Sequence, residues 1–221
     1  MHWFDEGYLL SKNNYSENSI IIEAFTSKHG KYTGIVYGGT SSKQKRNFQV
    51  GNKILLNWKS KNENRHGYFT VELVKPASPL FFEDKKKISC ILSATSILKL
   101  LLPDRQINEK IYNSFEKLIN NLTLDNWINF YIHWELSLIK ELGFEINFLP
   151  NKKIQNEDII KINDKKFKIP KLILNNKLDT KINNEIKEAL IFNKNLLLEN
   201  FIIPNKLNFP LFRNMLEKYY S

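Results

Sequence analysis

Along the first third of the chain, apolar residues come in short runs separated by Asn, Gly and Lys. The runs 7–12 (GYLLSK), 19–26 (SIIIEAFT), 31–37 (KYTGIVY), 53–59 (KILLNWK) and 68–74 (YFTVELV) are rich in β-branched and aromatic residues. A pleated strand sends successive side chains to opposite faces, and such runs read as strands. Asn13 and Asn14, then Lys28, His29 and Gly30, supply turns between them. A succession of short strands with turn residues between them predicts a small all-β barrel or sandwich. Pro76 and Pro79 then interrupt the chain and strand character stops.

From Asp84 the period lengthens. Ile88, Ile91, Leu92, Thr95, Leu98 and Leu102 recur at helical spacing, and Pro103 ends that helix. A second helix over 107–122 carries Ile111, Phe115, Leu118 and Leu122 on one face. Asp125 is the expected N-cap of a third. On it Trp127, Tyr131, Trp134, Leu138 and Leu142 form one stripe, and Ile128, Ile132 and Ile139 a second beside it. A face that wide predicts a central helix covered on several sides, and Gly143 is its natural stop. The Lys/Asn-rich segment 144–176 is irregular, apart from a hairpin expected around Asn163 and Asp164. Two closing helices follow over 183–198 and 210–220. The pattern defines an α+β chain of two domains: a β module over 1–77, then a helical domain over 78–221 with a small insertion around 144–176.

Charge changes the picture next. The chain of 221 residues carries a formal net charge of +10, which favours a polyanionic partner: nucleic acid or an anionic surface. From residue 31 to residue 61 there is no acidic residue, while Lys31, Lys43, Lys45, Arg46, Lys53, Lys59 and Lys61 all fall in that span and Arg65 follows. Phe48, Trp58 and Tyr68 are interleaved with them. Cations for phosphates and rings for bases are how sequence-tolerant single-strand binders work, so Lys31, Lys43, Lys45, Arg46, Lys53, Trp58, Lys59, Lys61 and Arg65 are the candidate nucleic-acid contacts. Strand alternation alone leaves Trp58 open between barrel core and surface.

Other chemistry is hard to assemble. The stretch 37–53 (YGGTSSKQKRNFQVGNK) lacks the Gly-Lys-Ser/Thr order of a phosphate-cradling loop, and Gly38-Gly39 has no third glycine for a dinucleotide turn. His2, His29, His66 and His133 fall at no metal-ligand spacing, and the single cysteine, Cys90, excludes a cysteine-built zinc site and an internal disulfide. Glu135 and Glu141 flank an apolar helix face, where a structural ion pair or solvent exposure is the expected role. The expected protein is no enzyme, needs no cofactor, and is cytosolic: no apolar run reaches the roughly 18 residues of a membrane span, and the N-terminus has no signal-peptide character.

One ordered set of motifs spans both halves. Trp3-Phe-Asp-Glu-Gly7-Tyr-Leu-Leu-Ser11 opens the chain. Residues 19–30, Gly34 and Tyr37-Gly38-Gly39 follow, then Gln49-Val50-Gly51-Asn52 and Phe69-Thr70-Val71-Glu72. The helix from Tyr131 closes on Leu142-Gly143-Phe144. This set resembles the RecO family of bacterial DNA repair proteins, with Val50 where the family's turn carries proline. The resemblance implies an N-terminal OB-fold β-barrel followed by an α-helical domain. It implies a recombination mediator of the RecFOR pathway, nucleoid-associated, that binds single- and double-stranded DNA and anneals complementary strands. Its implied partners are RecR, single-stranded DNA-binding protein and, indirectly, RecA. Many members carry a four-cysteine zinc module after the Leu-Gly-Phe helix. This chain has no cysteine there, so its 144–176 segment is expected to hold together without metal. An RNA-binding OB-fold module is the alternative that composition leaves open.

Overall fold

In a computed structural model, residues 1–41, 44, 47–61, 67–144, 159–175 and 182–220 are described. Strands β1 (His2–Ser16), β2 (Ser19–Thr26), β3 (Gly30–Tyr37), β4 (Lys53–Lys59) and β5 (Gly67–Lys75) close a barrel in the order β1-β2-β3-β5-β4. β1, β2 and β3 form an antiparallel meander, and β4 and β5 an antiparallel pair. The ring closes where β4 meets β1 and where β3 meets β5 in parallel, the latter through only Gly34↔Gly67 and Ile35↔Tyr68.

β1 is longer at both ends than the apolar run 7–12 suggests. Its first half pairs with β4 and its second half with β2, with register irregularities between Leu9 and Ser11 and between Asn14 and Ser16. Bulges bend a strand, and here one strand serves two neighbours. Asn13 and Asn14 therefore lie in the ladder opposite Ile21 and Ile20 rather than in a turn.

The barrel interior follows from alternation. Ile54, Leu56 and Trp58 of β4 and Phe69 and Val71 of β5 point inward to meet Leu9, Ile20, Ile22, Ala24, Val36 and Phe48. Glycines permit several close approaches, the tightest at Gly67 and Gly30. A Cβ on Gly67 would lie 2.2 Å from the Trp58 indole nitrogen. Gly30 has φ +77, and a Cβ there would lie 2.2 Å from the Gln106 carbonyl oxygen. Left-handed backbone strains any L side chain and the clash is with main chain, so Gly30→Ala is expected to cost about 2 kcal/mol or more, read as a lower urea midpoint.

The chain divides into two compact units, Met1–Tyr112 and Asn113–Ser221. The first extends past the barrel's last strand, whereas the sequence pattern places the change at 77/78. The reason is α1 (Lys85–Leu101), whose first turn is capped by Asp84 accepting from Lys86 N and Lys87 N. Lys99 of α1 pairs with Glu23 of β2 at 2.9 Å and reaches Ser11 Oγ of β1 at 3.3 Å. Lys31 Nζ donates to the Lys99 carbonyl at 2.9 Å. These bonds fasten the helix to the barrel. Cys90 is buried on α1.

Helix α2 (Glu109–Asn121) carries the chain into the second unit, where α3 (Trp127–Glu141) is the central element. Its N-cap residue is Asn126, one later than expected, and Gly143 ends it in left-handed backbone, φ +99. β6 (Ile159–Ile162) and β7 (Lys165–Lys168) form the hairpin, turned by Asn163 and Asp164, both at positive φ, as a tight hairpin turn requires. After α4 (Lys171–Leu174) come α5 (Asn183–Leu197), a π-helical turn over Leu198–Ile202, and α6 (Leu211–Lys218). The hairpin is tied to that π turn by side-chain bonds. Asn163 Nδ2 donates to the Glu199 carbonyl at 2.9 Å, and Lys165 Nζ meets Glu199 Oε1 at 2.5 Å.

The core of this unit contains charge. Glu135 on α3 and Arg213 on α6 are both fully buried, with Nε to Oε1 at 2.5 Å and Nη2 to Oε2 at 3.1 Å. Arg213 Nη2 also donates to the Leu190 carbonyl at 2.6 Å. Tyr131 Oη donates to Glu135 at 2.6 Å and Asn193 Nδ2 at 3.2 Å. Burial is the largest influence and pulls the Arg213 pKa down, but Glu135, Tyr131 and Glu217 together outweigh it and the guanidinium is held above its ordinary value. Glu135 is thus the buried partner of a structural ion pair. Among the described residues no helix is long and apolar enough to cross a membrane.

Candidate nucleic-acid interface

The alternation that fills the barrel also decides what faces out. Across β1, β4 and β5 the register sets His2 beside Lys59 and Lys59 beside Tyr68, and in the next outward row Phe4 beside Asn57 and Asn57 beside Thr70. The His2 and Phe4 rings meet edge to face at 4.7 Å. Tyr68 lies opposite Ile35 of β3, and Tyr37, two residues further along that strand, stacks on it with centroids 5.1 Å apart and planes at 22°. Phe4 is 58% exposed, Tyr37 65% and Tyr68 44%, so all three side chains are accessible from solvent. Tyr15 is exposed near the same edge. Its phenol and that of Tyr68 both act on Tyr37, whose hydroxyl is pushed above its ordinary value, first by the hydrogen bond with Tyr68. The phenol therefore stays neutral at physiological pH and adds no negative charge to the surface. Lys59 stands exposed beside these rings, and Lys61, just past the end of β4, is also exposed.

A second aromatic group closes one end of the barrel. Trp3 is sandwiched between His29, at 4.1 Å and 8°, and Trp58, at 5.6 Å and 16°. Asp5 orients His29: its carboxylate accepts from Ser27 Oγ at 2.6 Å and Lys28 N at 2.7 Å and lies 3.0 Å from His29 Nδ1. Burial opposes the Asp5 charge, yet the bonds from Ser27, His29 and Lys28 together outweigh it and hold the carboxyl below its ordinary value. A depressed folded-state pKa contributes stability above the unfolded value of about 3.9, and that contribution is lost as pH falls through the folded value. Asp5→Asn should therefore lower the urea midpoint at pH 7, and the gap from the parent chain should shrink steadily below about pH 4.

The sequence-derived candidates separate on this structure. Lys59 lies on the exposed face, and Lys61 is exposed just past the end of β4. Lys53 sits at the other end of β4, paired with Glu6 at 2.8 Å. Lys31 and Trp58 require correction. Lys31 is buried at 9% exposure, with its ammonium on the Lys99 carbonyl and 3.2 Å from Asp104. Trp58 is 3% exposed and is core: it shares the inward face of β4 with Ile54 and Leu56. Phe48 is likewise core. Lys43, Lys45, Arg46 and Arg65 lie outside the described residues. Residue pattern and charge did not point to His2, Phe4, Tyr15 or Tyr37. The signal was available for Phe4, because a strand begun at His2 rather than Gly7 puts Trp3 in and Phe4 out.

A closed five-stranded barrel of this strand order, with rings and lysines on its outer face, defines an OB-type barrel, here followed by a helical unit. Two family models match in series, "Recombination protein O N terminal" over residues 1–77 and "Recombination protein O C terminal" over residues 83–149. The chain belongs to the recombination protein O family. It is 33% identical over 148 residues to the DNA repair protein RecO of Dinoroseobacter shibae, covering 66% of this chain and 61% of that protein. It is 33% identical over 147 residues to the RecO of Roseobacter denitrificans, with the same coverage, and 32% over 149 residues to that of a Wolbachia of Drosophila simulans, again with 66% and 61% covered. The chain thus spans about 61% of the length of the curated relatives it matches.

Proposed function

We propose that this chain is a mediator of DNA repair and homologous recombination that acts without catalysing a reaction itself. In this reading the outer face of the barrel takes single- and double-stranded DNA, complementary strands are annealed, and RecA is loaded with RecR onto strands coated by single-stranded DNA-binding protein. It acts in the cytoplasm, at the nucleoid. The observation that carries it is the set of exposed rings on β1, β3 and β5 around Lys59, on a barrel that belongs to a DNA repair family. Rings stack on bases of any identity and cations follow the backbone, so the surface suits DNA whatever its sequence. The basic stretch with Lys43, Lys45, Arg46 and Arg65 adds charge to the same reading.

The test is annealing of complementary strands with and without the cognate single-stranded DNA-binding protein. Annealing of coated strands is the expected result. A protein that anneals bare strands only, or prefers RNA in a direct competition of equal-length oligonucleotides, would contradict the mediator reading.

A further inference from the structure

At the end of the barrel a recess of about 510 Å³ is lined by Met1, His2, Trp3, Tyr32, Trp58 and Arg105. That volume falls within the range of small-ligand sites, about 300–1,000 Å³. Arg105 is the unusual wall. It is not glycine, yet its φ is +61, a left-handed conformation that costs an L residue on the order of 1–2 kcal/mol. Its backbone is pinned there, since Arg105 N donates to the Lys31 carbonyl at 2.9 Å and the adjacent Asp104 pairs with the Lys31 ammonium. Glycine would accept this position without strain. The arginine side chain is exposed and its guanidinium lies over the Tyr32 ring, 5.4 Å from the centroid. Backbone strain retained for an exposed side chain points to a role in binding.

The chemistry of the walls narrows the ligand. Aromatic rings alone would suit a cation, but Arg105 already places a positive charge in the recess, which disfavours one. A guanidinium plane, aromatic walls and a positive rim fit a flat ring that carries an attached anion. His2 joins the recess to the outer face, since it lies beside Lys59 in the register. We infer that the recess holds one unstacked nucleobase of a bound single strand, stacked against the exposed Arg105 guanidinium at the mouth of the recess while the backbone continues past Lys59. The inference rests on the DNA-binding reading above.

The experiment uses the full chain and a set of short thymidine strands, each with 2-aminopurine at a different position. A fluorescence change confined to one position is expected. In Arg105→Gly that change should vanish and affinity should fall at least about fivefold, while the urea midpoint is unchanged or higher because glycine relieves the strain. Arg105→Lys should also lose the positional signal while keeping the salt dependence of binding. If the strands bind but every position responds alike, and Arg105→Gly binds as the parent does, the recess assignment fails while the DNA reading stands. If the parent chain binds none of the strands at low salt, both fail.

Discussion

Replacing Arg213 with alanine is expected to destabilise the helical unit by about 3–5 kcal/mol, because it leaves the Glu135 carboxylate buried without its counter-charge. The loss should exceed that of any surface ion pair in the chain. Lys161 and Asp164, for comparison, are both largely exposed, and such pairs contribute at most about 1 kcal/mol. Glu135 is shared by Arg213, Tyr131 and Asn193, so single replacements should not add. Arg213→Met combined with Glu135→Leu should recover much of what Arg213→Ala loses, since the pair is then removed rather than broken. Urea unfolding followed by helical circular dichroism measures both. A double variant less stable than the single one would show that the pair contributes through its packing shape rather than through charge.

Removing the open rings of the barrel should be the largest change in DNA affinity. Tyr37→Ala with Tyr68→Ala deletes a stacked pair, and loss of one base stack costs about 1–3 kcal/mol. A fall of roughly 10- to 100-fold in single-strand affinity is expected, with the dependence on salt unchanged. Lys59→Glu should do the reverse: weaken all sequences alike and reduce the slope of log affinity against log salt by about 0.7 for each phosphate no longer neutralised. Titration of one labelled strand at several salt concentrations separates the two. If the tyrosine variant binds as the parent does, the strand lies elsewhere on the barrel.

The division into strands and helices was legible because the hydrophobic period changes near Asp84, and period is set locally. The depth of each ring was less legible. Alternation left Trp58 open, and only the closed barrel put it inward with Ile54 and Leu56. The burial of Lys31 depends on Lys99 and Asp104, roughly 70 residues away in sequence. The Tyr37–Tyr68 stack depends on the parallel pairing of β3 with β5, which no local spacing announces. Charge counting alone therefore favoured lysines along the chain, while the fold selected those whose neighbours leave them exposed.

The two-pair junction between β3 and β5 also has a kinetic meaning. Both ladders that close the ring, β1 with β4 and β3 with β5, join residues more than thirty positions apart and must wait for loop closure, but the first has seven pairs to offset that cost and this one only two. It should be the last ladder to zip and the first to open, so amides of Gly34 to Val36 and Gly67 to Phe69 should lose hydrogen-exchange protection before those of β1 and β2. The tyrosine pair straddles this same line. A strand of DNA laid across it would act as a clasp, and bound DNA should slow exchange there more than anywhere else in the barrel.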